Sequence, residues 1–130
     1  MVENAGSISK VLLVEDDKHI RLIIKASLVK LAQWQVLEAA NGLEALEQVK
    51  GTNPDLILLD IMMPGMDGPT TFGELRKIDQ LKQVPVIFMT AKVQRQEVES
   101  YIALGARGVI TKPVDPMKLP EQILDILGRS

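Results

Sequence analysis

Residues 55–68 read Asp55-Leu56-Ile57-Leu58-Leu59-Asp60-Ile61-Met62-Met63-Pro64-Gly65-Met66-Asp67-Gly68. The run Leu56–Leu59 has no polar member, stops at an acid and passes into a loop marked by Pro and Gly. So short a run, with no polar face, reads as a strand covered on both sides, as in a parallel sheet flanked by helices. Val11-Leu12-Leu13-Val14 repeats the pattern and ends at Glu15-Asp16-Asp17; Val86-Ile87-Phe88-Met89 ends at Thr90; Val109-Ile110 runs into Thr111-Lys112-Pro113. Gln35–Ala39 alternates polar and apolar, as expected nearer a sheet edge.

Between these runs the apolar residues recur at helical spacing. The stripes are Ile20, Ile23, Ile24, Leu28 and Leu31; Leu43, Leu46 and Val49; Phe72, Leu75 and Ile78; Val98, Tyr101, Ile102 and Leu104; and Leu119, Ile123, Leu124 and Leu127. Asn41 with Glu44 has capping-box spacing, Gly73 weakens the third helix, and Gly105 stops the fourth. Strands alternating with helices imply an α/β fold, a doubly wound five-stranded sheet flanked by five helices. Asp115-Pro116 looks like a helix start, but Pro120 would leave the Pro116 carbonyl without its helical partner, so the last helix is expected near Leu119. Residues 1–9 read as a polar tail and 10–128 as the folded unit.

The 130 residues fit one domain, with 46% hydrophobic and 25% charged residues, values of an ordinary globular chain rather than a disordered one. Fifteen basic against seventeen acidic residues give a net charge of −2, which argues against nucleic-acid contact. Cysteine is absent, so disulfides, thiolate metal sites and thiol nucleophiles are excluded. With no signal-like N-terminus and no long apolar run, the chain reads as cytoplasmic and without membrane contact.

In an open parallel sheet the ligand site lies at the carboxyl ends of the strands. Those ends carry Glu15, Asp16 and Asp17, then Asp60, Thr90 and Lys112. Clustered carboxylates repel unless a cation neutralises them, and Mg2+ suits carboxylates, waters and a phosphoryl oxygen. A carboxylate can also act as a nucleophile and form an acyl phosphate. Lysine pairs with such a phosphoryl group and threonine hydrogen-bonds it. Residue types and spacing thus point to a Mg2+-assisted phosphoryl site without saying which acid reacts.

At these residues the chain resembles the response regulator receiver domains of two-component signalling, the family of the bacterial chemotaxis response regulator. The matching segments are Val11–Asp17, Asp55–Gly68, Pro85–Ala91 and Gly105–Pro113, within residues 10–128. The resemblance implies a flavodoxin-like sheet of order 2-1-3-4-5. It implies Asp60 as phospho-acceptor, with Mg2+ held by Asp16 directly, by Glu15 through water, by Asp60 and by the Met62 backbone carbonyl. Thr90 would be the switch hydroxyl and Lys112 the phosphate-pairing ammonium, followed by a cis bond to Pro113. The implied partners are a histidine kinase or histidine phosphotransfer protein and an unidentified downstream protein, the chain being a monomer or weak dimer. Such a domain is a signalling switch and not an enzyme beyond its own phosphorylation and dephosphorylation. Val109 stands where many members carry an aromatic switch residue, so a coupled threonine–aromatic rotation does not transfer. Tyr101 could substitute, although an ordinary half-buried aromatic is the plainer reading.

His19 reads as a solvated surface residue, Trp34 as packing, and Met62, Met63 and Met66 as core and loop filler. Met62 and Lys92 are expected to flank the site's mouth and govern water access. Two rivals stay open: a small Mg2+-dependent phosphohydrolase with Asp60 as nucleophile, weakened by Met62 where a general acid is wanted, and a module that binds partners without phosphorylation. Since no effector domain follows Ser130, the chain reads as a single-domain regulator or a fragment of a longer one.

Overall fold

The computed structural model describes residues 8–91 and 94–128. Strands β1 (Lys10–Val14), β2 (Gln35–Ala39), β3 (Leu56–Asp60), β4 (Val86–Thr90) and β5 (Gly108–Thr111) form one sheet of order β2-β1-β3-β4-β5. All four pairings are parallel. The connecting helices are α1 (Lys18–Ala32), α2 (Gly42–Gln48), α3 (Gly68–Arg76), α4 (Arg95–Leu104) and α5 (Leu119–Gly128), with a short 3-10 turn at Asp79–Leu81. The expected architecture is therefore present, with the alternating segment β2 at an edge as its pattern predicts.

The pleat divides each central strand between two cores. Val11, Leu13, Leu56, Leu58, Ile87 and Met89 face Ile24, Leu28, Leu119, Ile123 and Leu127 of α1 and α5. Leu12, Val14, Ile57, Leu59 and Phe88 face Ala45, Phe72 and Leu75 of α2 and α3. Trp34 joins the first core, as its packing assignment anticipates, and so does Ile8. The expectation of a tail through residue 9 thus fails at its last two positions: Ile8 is buried, and Asp55 Oδ2 accepts bonds from the backbone N–H groups of Ser9 and Lys10.

The helical stripes are narrower than their periodicity suggests. Ile23, Leu31, Leu43, Ile102 and Leu104 are exposed, and α4 buries none of its residues. Ile78 lies beyond the end of α3, as the residue preceding the 3-10 turn. Asn41 caps α2 by accepting the Glu44 N–H at 2.9 Å, and Glu44 Oε1 answers by accepting the N–H of Ala40, one residue before the cap. Helix α5 begins at Leu119 as expected, and the Pro116 carbonyl that Pro120 cannot serve accepts the Ser27 hydroxyl of α1 instead.

Candidate functional site

The chain leaves β1 for the edge strand β2 on one side and then for β3 on the other, so a crevice opens at the carboxyl ends of β1 and β3. Glu15 and Asp16 follow β1 directly, and Asp60 is the last residue of β3. Glu15 and Asp60 are buried, at 0% and 1% exposure, whereas Asp16 is exposed. Carboxylate oxygens of the three lie within 4.8 Å of one another, so the cluster opens to solvent on the Asp16 side. The third acid of the motif does not join it: Asp17 caps α1, accepting the N–H groups of His19 and Ile20 at 2.8 and 3.0 Å. Those bonds, the one from Ile20 foremost, hold its carboxyl below the ordinary value. His19 itself is exposed, as expected.

Lys112, at the end of β5, crosses the crevice. Its Nζ lies 2.9 Å from Glu15 Oε1 and 3.3 Å from Asp60 Oδ1. Burial pulls its pKa down, but the bond to Glu15 and the charge of Asp60 outweigh that and hold it above the ordinary value. The Lys112–Pro113 bond is cis. Thr90 is buried at the end of β4, beside β3, and its carbonyl accepts the Lys112 N–H at 2.9 Å. The Met62 N–H donates to Asp60 Oδ1 at 3.3 Å while its side chain stands exposed. Lys92 lies outside the described residues.

Burial, and then the Glu15 carboxylate, push Asp60 up to about 7 against the opposing pull of Lys112. Its buried Oδ2 has no hydrogen-bond partner among the described residues. A donor set made wholly of oxygen, carrying uncompensated negative charge and an unpaired buried acceptor, fits a hard divalent cation such as Mg2+.

The loop after Asp60 is shaped by two glycines. Gly65 has φ +78, and Gly68 sits so close to β3 that a Cβ there would stand 2.5 Å from the Asp60 carbonyl oxygen. Beside this loop is a cleft of about 660 Å³ lined by Ile61, Met62, Pro64 and Tyr101, among others. Tyr101 is half-buried, and its ring meets Phe88 edge-on at 5.4 Å. Val109 is half-buried in the same core.

One participant escapes sequence reading. Arg21 of α1 donates from Nη1 to the Glu15 carbonyl at 2.8 Å. In sequence it is one more basic residue on a helix, and no local signal marks it.

A family model described as the response regulator receiver domain matches residues 11–124. Chemotaxis protein CheY of Bacillus subtilis is 39% identical over 114 residues, covering 88% of this chain and 93% of that protein. The alkaline phosphatase synthesis transcriptional regulatory protein PhoP of the same organism is 33% identical and matches 93% of this chain. The chain spans about half the length of that protein and of the other transcriptional regulators it matches. Among solved structures, chemotaxis response regulator CheY4 of Vibrio cholerae superposes with a TM-score of 0.84 at 30% identity, over 92% of this chain and 99% of that one. Among the described residues no helix is long and apolar enough to cross a membrane.

Proposed function

The chain belongs to the response regulator receiver domain family, a family of signalling modules, and from that premise we propose that it is a switch set by phosphorylation of Asp60. The phosphoryl donor is the phosphohistidine of a histidine kinase or of a histidine phosphotransfer protein. A downstream protein reads the result. The receiver unit is residues 10–128, extended at its start by the packing of Ile8.

The observation that carries this reading is the convergence of Glu15, Asp16 and Asp60 within 4.8 Å, with Lys112 bonded to two of them. Asp60 Oδ1 is engaged by Lys112 and the Met62 N–H, which leaves the unpaired Oδ2 free to act. In the transfer an Asp60 oxygen bonds to phosphorus as the phosphorus–nitrogen bond of the donor breaks. The nitrogen keeps the electron pair, and the product is an acyl phosphate. Asp16 directly, Glu15 through water, Asp60 and the Met62 carbonyl would hold Mg2+, which supplies charge neutralisation for the phosphoryl oxygens. Lys112 adds a second positive group on the opposite wall, and Thr90 donates its hydroxyl to the phosphoryl group. The phosphorylated site then shifts a two-state surface only as far as these contacts favour one state. The reading makes the chain cytoplasmic, with self-phosphorylation and self-dephosphorylation as its only catalysis.

Beryllofluoride titration of the parent and of Asp60→Asn, with and without MgCl2, tests the reading. Binding should require both Mg2+ and Asp60. Equal binding by Asp60→Asn, or no binding by the parent, would overturn it.

A further inference from the structure

The Glu15 residue is anchored at both ends to the same edge of the sheet. Its N–H donates to the Ala39 carbonyl, the last of β2, at 3.0 Å. Its carbonyl accepts from Arg21 Nη1 at 2.8 Å, and the Nε of the same guanidinium lies 3.3 Å from Glu38 Oε1, one residue before Ala39. Lys25 steadies Glu38 from the other side, 2.8 Å from its second oxygen. The Arg21 side chain is only 18% exposed, so these bonds are more than a surface ion pair.

We propose that Arg21 and Glu38 form a clamp that fixes the Glu15 carbonyl, and with it the direction in which Asp16 presents its carboxylate to the divalent cation. The proposal rests on the reading of this crevice as a Mg2+-dependent phosphoryl site. Arg21 is a positioning residue: it contacts the backbone of the acidic loop and none of its carboxylates.

The residue types suit the task. One planar guanidinium can serve a carbonyl and a carboxylate at once, which an ammonium on a flexible stem does poorly. A bare cation beside the acids would also compete with the incoming metal. Glu38 also serves Lys25, so it offsets part of that charge, and the connected groups fix the backbone at a smaller electrostatic penalty than they would without Glu38.

The test is a MgCl2 titration of the 130-residue chain, followed by the rise in melting temperature, for the parent, Arg21→Gln, Arg21→Lys and Glu38→Gln. Supporting groups of this kind typically change metal affinity by about 10–100-fold. Arg21→Gln should weaken the apparent Mg2+ affinity by about tenfold, at the low end of that range, with Arg21→Lys and Glu38→Gln in between. Melting temperatures that fall while all Mg2+ affinities stay within about twofold of the parent make the clamp structural only and overturn the proposal. If Arg21→Gln does not fold, the other two variants make the same comparison. A parent without any Mg2+-dependent rise overturns the functional reading, and the clamp with it; a parent that responds like its variants overturns the clamp alone.

Discussion

Lys112 and Glu15 meet at 2.9 Å across the crevice, so the one cation paired with the buried acids among the described residues lies closer to Glu15 than to the proposed phospho-acceptor, Asp60, at 3.3 Å. Lys112 thereby neutralises Glu15 and leaves Asp60 less compensated. The preference gives Lys112 a structural role beside its proposed one as a phosphate partner.

Removing that ammonium strands two buried carboxylates. Lys112→Met should cost about 3 kcal/mol at pH 8 in urea unfolding, the low end for breaking a buried ion pair. MgCl2 should then restore more stability to the variant than it adds to the parent, because a cation replaces the lost charge. An equal increment in both proteins would show that the acids do not share a cation.

Asp60 keeps its proton up to about pH 7 in the folded chain, against an ordinary value of 3.8. Between those values the native state binds more protons than the unfolded one, so this group's contribution to stability falls as pH rises through the window. Without Mg2+, Asp60→Asn should melt higher than the parent at pH 8, by roughly 4–8 °C, and the gap should close towards pH 4. A gap that widens on acidification has the wrong sign for a destabilising carboxylate.

Two glycines of α3, Gly68 and Gly73, should respond oppositely to alanine. At Gly68 the new Cβ would stand 2.5 Å from the Asp60 carbonyl oxygen and 2.8 Å from Ile61 Cα, both backbone atoms. Gly68→Ala should cost about 1–3 kcal/mol and displace Asp60. At Gly73, inside α3, nothing lies within 4 Å, and alanine should stabilise by about 0.5–1 kcal/mol. Denaturant midpoints of the two variants on opposite sides of the parent are the expected result.

The hydroxyl of Ser27 satisfies the Pro116 carbonyl at the entry to α5. Ser27→Ala should therefore lose about 1 kcal/mol, as a half-buried acceptor goes unserved. Faster hydrogen exchange confined to the first turn of α5 would locate the effect; loss spread evenly over the sheet would not fit it.

The strands and the acids at their ends could be read directly from the chain, because an apolar run closed by a charged residue is a signal contained within a few neighbours. The helical faces were less legible. Periodicity marks Ile23, Leu31 and Leu43 as candidates for burial, yet each is exposed, since the depth of a stripe depends on what packs above it. Arg21 was invisible for a related reason: its partner Glu38 is 17 residues away, in a different element.

Amino-acid order alone pointed to four apolar segments and one alternating segment pairing into one layer, with Glu15, Asp16, Asp60, Thr90 and Lys112 at the strand ends, because side-chain hydrophobicity and the residue that closes each run are local properties. Tertiary structure decided which oxygen Lys112 prefers, that Asp17 caps a helix instead of joining its neighbours, and that Ser27 serves a carbonyl 89 residues away. Those outcomes turn on separations of a few ångströms between segments remote in the chain, and only closing the fold sets such distances.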